Sequence, residues 1–276
     1  MLDKAATFYA AFTREESSNV KLRTEAAWAH SRLGDVNRLL DRHEDAIREY
    51  VRAIASFEVL AGQYPRKVEY RRALAYCHNW LGETLRSWLD ESGGPDSGKK
   101  ARAEYDAAIT LQAPIHEDAP ANPLYAQELA STYYNRGILS YVAGDLAAAS
   151  SDFGAAIHLL QPIRGATTAL DGARLSPLPA EELARAYSDL ATVLTHENGR
   201  EQARSYYEQA IQIAERLSAA DPQSREYKYE LAQYCDNLAR LLVEMHELKQ
   251  AADRNHQAST LSRTWSAHRP RCRWSS

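Results

Sequence analysis

The sequence predicts an all-α fold, an α-solenoid of about five helical hairpins, on three observations. A fourteen-residue segment recurs in register: EYRRALAYCHNWLG (69–82), LYAQELASTYYNRG (124–137) and EYKYELAQYCDNLA (226–239). A second, shorter pattern follows each copy at a set distance. Prolines punctuate the gaps between patterns, at Pro65, Pro120, Pro123, Pro177, Pro179 and Pro222. Self-similarity at a fixed period is the mark of a repeat architecture.

The first helix of each hairpin carries Tyr, then Leu-Ala four residues later, then a small residue eight after that Leu. The tyrosines are Tyr70, Tyr125 and Tyr227, and the small residues Gly82, Gly137 and Ala239; two weaker copies end at Gly34 and Ala191. The second helix begins with Ala twelve residues after the small residue and adds an aromatic and a further Ala. These triplets are Ala46-Tyr50-Ala53, Ala149-Phe153-Ala156, Ala203-Tyr207-Ala210 and, without the aromatic, Ala251-Asn255-Ala258. The remaining triplet, Ala101-Tyr105-Ala108, starts nineteen residues after Gly82, so that copy holds seven extra residues, the Gly-rich stretch SGGPDSGKK (92–100). From the last Ala of a triplet to the next small residue is twenty-nine residues in three junctions. The fourth, Ala156 to Ala191, is thirty-five, and RGATTALDGARLSPLP reads as a loop there. Apolar residues three and four apart, as in Ala46, Tyr50, Ala53, Ile54, Phe57 and Leu60, set the helical period. The repeats then span about 18–65, 66–120, 121–178, 179–222 and 223–262. Residues 1–17 match the second helix of a truncated preceding repeat, with Tyr9 and Phe12 in place of Phe57 and Leu60, and the basic 263–276 reads as a disordered tail.

A single hairpin cannot bury both apolar faces, so each stacks on its neighbours. The small slots let the two backbones of a hairpin approach, and the aromatic slot fills the space left between hairpins. Small residue, twelve residues, Ala, four, aromatic, three, Ala resembles the tetratricopeptide repeat (TPR) family over residues 18–262. The copies recur every 48 to 55 residues, longer than the family's ~34, which longer helices and loop insertions explain. Long helices with Tyr-x-x-x-Leu-Ala resemble the C-terminal arrays of large bacterial serine/threonine protein kinases and kinesin-light-chain-type repeats. The resemblance implies a right-handed solenoid that binds proteins or extended peptides on its concave, first-helix face.

Chemistry is otherwise sparse. Gly93, Gly98 and Lys99 approximate a phosphate-binding loop, but that motif works only between a strand and a helix, and here TLRSWLDE reads as helix before it and Lys100 replaces the hydroxyl residue. A nucleotide-binding enzyme using Gly93–Lys99 is the rival reading. His43, His196 and His246 sit in hairpin turns without metal-like spacing, and His30 and His78 share a packing slot with Tyr133, Tyr187 and Cys235. Cys77, Cys235 and Cys272 are far apart and form no C-x-x-C pair. The reading is therefore no catalytic residue, no metal and no cofactor. The start of the chain lacks a signal-peptide core and no long apolar run occurs, which points to the cytoplasm and away from membranes. A net charge of −4 argues against nucleic acid.

Function is then expected on the first-helix face. The candidate groove residues are Asn79, Trp80, Glu83, Arg86, Tyr134, Asn135, Arg185, Asp189, Asp236, Asn237 and Arg240. Amides can both donate to and accept from a peptide backbone, and the charges are of mixed sign. The positions that hold Lys and Asn in chaperone-binding arrays carry Ser31/Asp35, Asn79/Glu83, Tyr134/Ile138, Ser188/Thr192 and Asp236/Arg240, which disfavours a carboxylate clamp. Asn135→Ala and Asn237→Ala are expected to weaken binding and spare stability. Uncapped ends are expected to promote self-association.

Overall fold

The computed structural model describes residues 19–88, 96–165 and 179–266, with side chains to Leu261. Among these are ten α-helices and no strand: α1 (Val20–Leu39), α2 (His43–Gln63), α3 (Val68–Trp88), α4 (Asp96–Asp118), α5 (Pro123–Val142), α6 (Leu146–Leu160), α7 (Pro179–His196), α8 (Arg200–Ala220), α9 (Arg225–Glu244) and α10 (Leu248–Ser266). They form two compact units divided between Ala143 and Gly144. In the first, each of α1 to α4 packs on its successor, and first helices touch in the pairs α1/α3 and α3/α5. In the second, α6 to α10 pack in the same serial way and α7 touches α9.

One backbone device ends the first helices. Asp41, Gly144, Asn198 and His246 each lie seven residues past the small slot and each has φ between 56° and 79°. Gly, Asn and Asp tolerate this left-handed geometry best. In three turns the next N–H reaches back to a carbonyl five residues earlier: Arg42 to Asn37 at 2.9 Å, Gly199 to Leu194 at 2.8 Å and Glu247 to Leu242 at 2.9 Å. Chain direction is set at the other end by side-chain caps. Asn19, Asn122 and Ser224 accept from the backbone N–H of Lys21, Leu124 and Tyr227, and Pro123 supplies a helix-ready φ.

The inserted copy departs from a simple surface loop. Relative to the other hairpins α3 runs one residue further past its small slot, and α4 starts two residues earlier before Ala101. Ser97, Gly98 and Lys99 are thus helical, and Ser97 is buried. Gly93 lies outside the described residues, as do 1–17, the stretch 166–178 and the chain beyond Ser266.

The Ala-aromatic-Ala triplets are core: Ala46, Tyr50, Ala53, Ala101, Tyr105 and Ala108 are wholly buried, as are Ala203 and Ala210 around Tyr207. The aromatic ring lies on the small slot of its own hairpin, not between hairpins as the sequence suggested. A Cβ on Gly34 would stand 2.8 Å from the Tyr50 ring, and one on Gly82 would stand 2.9 Å from the Tyr105 ring. Asn255, aligned with these aromatics, is exposed, because a buried amide without partners costs more than it gains.

Candidate functional site

The first helices carry the candidate residues, and polar rungs tie neighbouring first helices together. The repeated tyrosine reaches the residue two positions after the tyrosine slot of the preceding first helix. Tyr70 Oη is 3.2 Å from Thr24 Oγ1, Arg72 lies over the Tyr125 ring at 5.1 Å, and Tyr227 donates to Glu181 at 2.5 Å. Next to these, Arg72 donates to both oxygens of Glu128 (2.9 and 2.5 Å), and Arg185 donates to Glu230 (2.7 Å from Nε) and Glu226 (3.3 Å). Glu230 is buried, and burial raises its pKa despite the Arg185 guanidinium.

Within the first unit the structure brings several predicted residues together, but in contacts with one another. Asn135 Nδ2 donates to Asn79 Oδ1 at 3.1 Å, and Asn79 is buried, so this amide pair joins α3 to α5. Removing Asn135 therefore touches stability, against the sequence expectation. Glu83 accepts from Arg86 at 2.5 and 2.9 Å and from the Tyr105 hydroxyl at 3.1 Å. Burial works against the Arg86 charge, yet Glu83 holds its pKa above the usual arginine value. Trp80 packs edge-on to Tyr76, and the Arg38 guanidinium lies 4.1 Å above its ring. Tyr134 is half-buried.

In the second unit Arg185 is drawn into the acidic rung above, and Asp189 follows four residues later on the same face of α7. Asp236 and Arg240 are exposed and 3.4 Å apart, and Arg240 also donates to Asn237. Asp236 and Arg240 are the predicted residues that face water most openly, and Asn237 is half-buried.

Sequence reasoning missed a half-buried carboxylate. Asp35 accepts from Tyr50 at 2.7 Å and from Tyr76 at 3.0 Å. Burial raises its pKa although both hydroxyls, Arg38 and Arg32 favour the anion. The repeat itself holds the signal. The residue after the small slot is Asp35, Glu83 or Thr192 where the aromatic slot is Tyr50, Tyr105 or Tyr207, and Ile138 where it is Phe153. Tyr207 Oη lies 2.8 Å from Thr192 Oγ1, completing the set. The carboxylate-clamp position thus points at its own hairpin.

The histidine slot is electrostatic as well as steric. His30 Nδ1 is 2.6 Å from Glu49, His78 Nδ1 is 2.6 Å from Glu104, and Tyr187 stacks on Tyr206 at the matching place. Burial pushes the Cys77 thiol up to about 12 and the Cys235 thiol up to about 11, so neither is a thiolate nucleophile at neutral pH. Helix α3, not a strand, precedes the Gly98-Lys99 pair, and Lys99 faces water 3.7 Å from Asp96. Among the described residues no strand supplies the strand–loop–helix frame of a phosphate loop. No group of His, Cys, Asp or Glu is placed to hold a metal ion among the described residues, and no helix there is long and apolar enough to cross a membrane.

No family model and no curated protein matches the sequence. Solved structures do. The chain is similar to BtubC (BKLC) from P. vanneervenii with a TM-score of 0.72 and 17% identity, covering 100% of this chain and 94% of that one. It is similar to MamA with a TM-score of 0.51 and 15% identity, covering 88% and 96%. A Rap protein complexed with Competence and Sporulation Factor matches with a TM-score of 0.55 and 14% identity, covering 97% and 71%. At these identities the likeness concerns the fold. The fold is all-α, a TPR-like helical-repeat solenoid.

Proposed function

We propose that this chain is a non-catalytic protein- and peptide-binding scaffold whose first helices form the binding face, the concave wall of the solenoid. The observation that carries the reading is a division of labour on those helices. Asn79, Glu83, Arg86, Asn135 and Arg185 are engaged with neighbouring side chains and fix the wall. Trp80 under Arg38, with Asp236, Asn237 and Arg240, gives it aromatic and charged groups toward a ligand, and Tyr134 and Asp189 are further candidate contacts. The wall is thereby rigid where it is built and varied where it meets a partner, as a preorganised surface requires. The Rap protein of similar fold was crystallised with Competence and Sporulation Factor, which supports a peptide or protein as ligand.

The setting we propose is the cytoplasm, as part of a larger bacterial signalling protein in which the array recruits a partner or senses one for an attached kinase. The kinase-type spacing of the repeats supports it. Peptide arrays probed with the full chain test the core of the reading, followed by calorimetry on captured sequences. Tyr134→Ala and the pair Asn237→Ala/Arg240→Ala should each weaken binding severalfold. Capture that survives these changes but is lost on charge reversal of α2 and α8 overturns the assignment.

A further inference from the structure

The face by which one first helix receives the next is left open on α9. Counted from the small slot, the joint uses positions ten, six and three before it and one and four after it. Ten before, Thr24, Arg72 and Glu181 meet the tyrosine of the following first helix. Arg185, six before, reaches Glu230, and Asn79, three before, accepts from Asn135. Asp35, one after, accepts from Tyr76, and Arg38, four after, lies over Trp80. On α1, α3 and α7 all of these positions are buried or half-buried. On α9 they are Tyr229, Gln233, Asp236, Arg240 and Val243, and every one is exposed. Gln233 donates to Tyr229 at 3.0 Å and Arg240 lies 3.4 Å from Asp236, both contacts within α9 itself. Among the described residues no first helix follows α9, and beside it Asn255 of α10 is exposed where Tyr50, Tyr105 and Tyr207 are buried.

The same joints say what the incoming helix carries. Its contacts come from twelve, nine, six and two residues before its small slot: the repeated tyrosine, Glu230, Tyr76, and Asn135 or Trp80. Helix α1 holds Leu22, Glu25, Trp28 and Arg32 at those positions. Set on α9 in the internal register, Leu22 lies on the Tyr229 ring and Glu25 accepts from the Gln233 amide. Arg32 meets Asp236, with its stem beside Val243, and Trp28 offers its ring to Arg240. Each pair is attractive, and no pair sets like charges together. Leu22, Glu25 and Arg32 are exposed and Trp28 is half-buried, so these groups stand at the surface of α1. Leu22, Tyr229 and Val243 are 40%, 56% and 52% exposed, and burying such apolar groups supplies a drive for association.

We propose that the open face of α9 takes α1 of a second copy of this chain, in the register that already joins first helices within one chain. Two different surfaces meet in such a contact, so each copy keeps one face free, and assembly grows into a ring or a filament instead of stopping at a pair. The inference goes beyond the ligand-binding reading and does not depend on it, although both use Asp236 and Arg240.

Sedimentation velocity of the full chain, without any ligand, tests this across the micromolar range. The average mass should rise with concentration and pass that of a dimer. Asp236→Arg and Arg32→Glu each set like charges across the joint, and each should raise the dissociation constant about tenfold or more. Mixing the two variants should restore assembly, because each brings the charge that the other's altered face needs. That rescue keeps the test readable even if one substitution shifts stability. Val59→Asp, on the exposed side of α2, should change nothing. A chain that stays monomeric at every concentration overturns the proposal. Association that is lost in Asp236→Arg but indifferent to Arg32→Glu would pair α9 with α9 of the other copy and overturn it too. Association that appears only after residues 1–17 are deleted would assign the α1 face to the chain's own N-terminal segment, and would likewise overturn the second copy as its occupant.

Discussion

Tyr50→Phe isolates the polar contact that closes the first hairpin on itself. The ring is wholly buried against Gly34, and only its oxygen reaches Asp35, at 2.7 Å. The substitution removes that oxygen and leaves the packing. Asp35 keeps the Tyr76 hydroxyl at 3.0 Å but loses its shorter donor. A hydrogen bond to a charged group contributes about 1.5–3 kcal/mol, so a loss near 2 kcal/mol is expected at about pH 7.5. The pH dependence sharpens the test. Burial holds Asp35 above its ordinary value of 3.8 in the folded state. Its stabilising contribution is therefore complete below the unfolded value and is lost as pH rises through the folded one. Tyr50 favours the anion, so removing it raises the folded value further, and the variant loses more on the alkaline side. The gap between wild type and variant should narrow as pH falls toward the range where Asp35 titrates. Urea unfolding of both proteins by circular dichroism, with hydrogen exchange of the α1 and α3 amides, measures this. A loss below about 0.5 kcal/mol, or one that is constant between about pH 8 and 5, refutes the role given to the carboxylate.

Three further outcomes follow from the geometry. Gly34→Ala places a methyl 2.8 Å from a ring that cannot retreat, so overpacking of about 1–3 kcal/mol should exceed the helix-propensity gain of about 1, whereas Gly154→Ala, with open space, should stabilise; thermal melts of the two compare the signs directly. Arg72→Ala removes both bonds to Glu128 and the cover over Tyr125, and urea midpoints should show a loss of about 1–3 kcal/mol, most of it recovered in Arg72→Lys only if geometry is unimportant. Burial opposes ionisation of Glu49, but the bonds and charge of His30 and Arg52 outweigh it and hold its pKa low, so stability from this group is present above the ordinary value of 4.5 and lost as pH falls through the folded value; His30→Gln should flatten that acid limb of the stability profile.

The fold was legible because each hairpin must solve the same packing problem, and repetition exposes the solution. Alanine and tyrosine in the triplets, and glycine in the small slot, are forced by space, and space leaves its mark on residue type. The turn insertion was legible in length but not in place, since helix ends respond to caps and buried contacts such as Ser97 that spacing cannot show. The site was read less well. Asn79, Glu83 and Asn135 were read as groups for a ligand because polarity on a helix suggests water, yet the structure turns them onto one another. A polar residue declares that it needs a partner, not which one. The covariation of Asp35, Glu83, Thr192 and Ile138 with the aromatic slot was present in the sequence, and it becomes visible only once the slot is known to lie within the same hairpin.

These polar rungs also determine which hairpins can be neighbours. A purely apolar interface between repeats of similar shape would accept any order, because hydrophobic contact is not directional. Here the tyrosine of one first helix meets Thr24, Arg72 or Glu181 of the one before, each with a different chemistry. Placing α3 beside α7 in the position of α9 would set Ala73 where Glu230 stands and leave Arg185 without that carboxylate. Half-buried charges tolerate that poorly, so the cost falls on wrong pairings and not on the native one. The first helices thus spend much of their polar surface on internal order, while Asp236 and Arg240 of α9 stay exposed to a ligand.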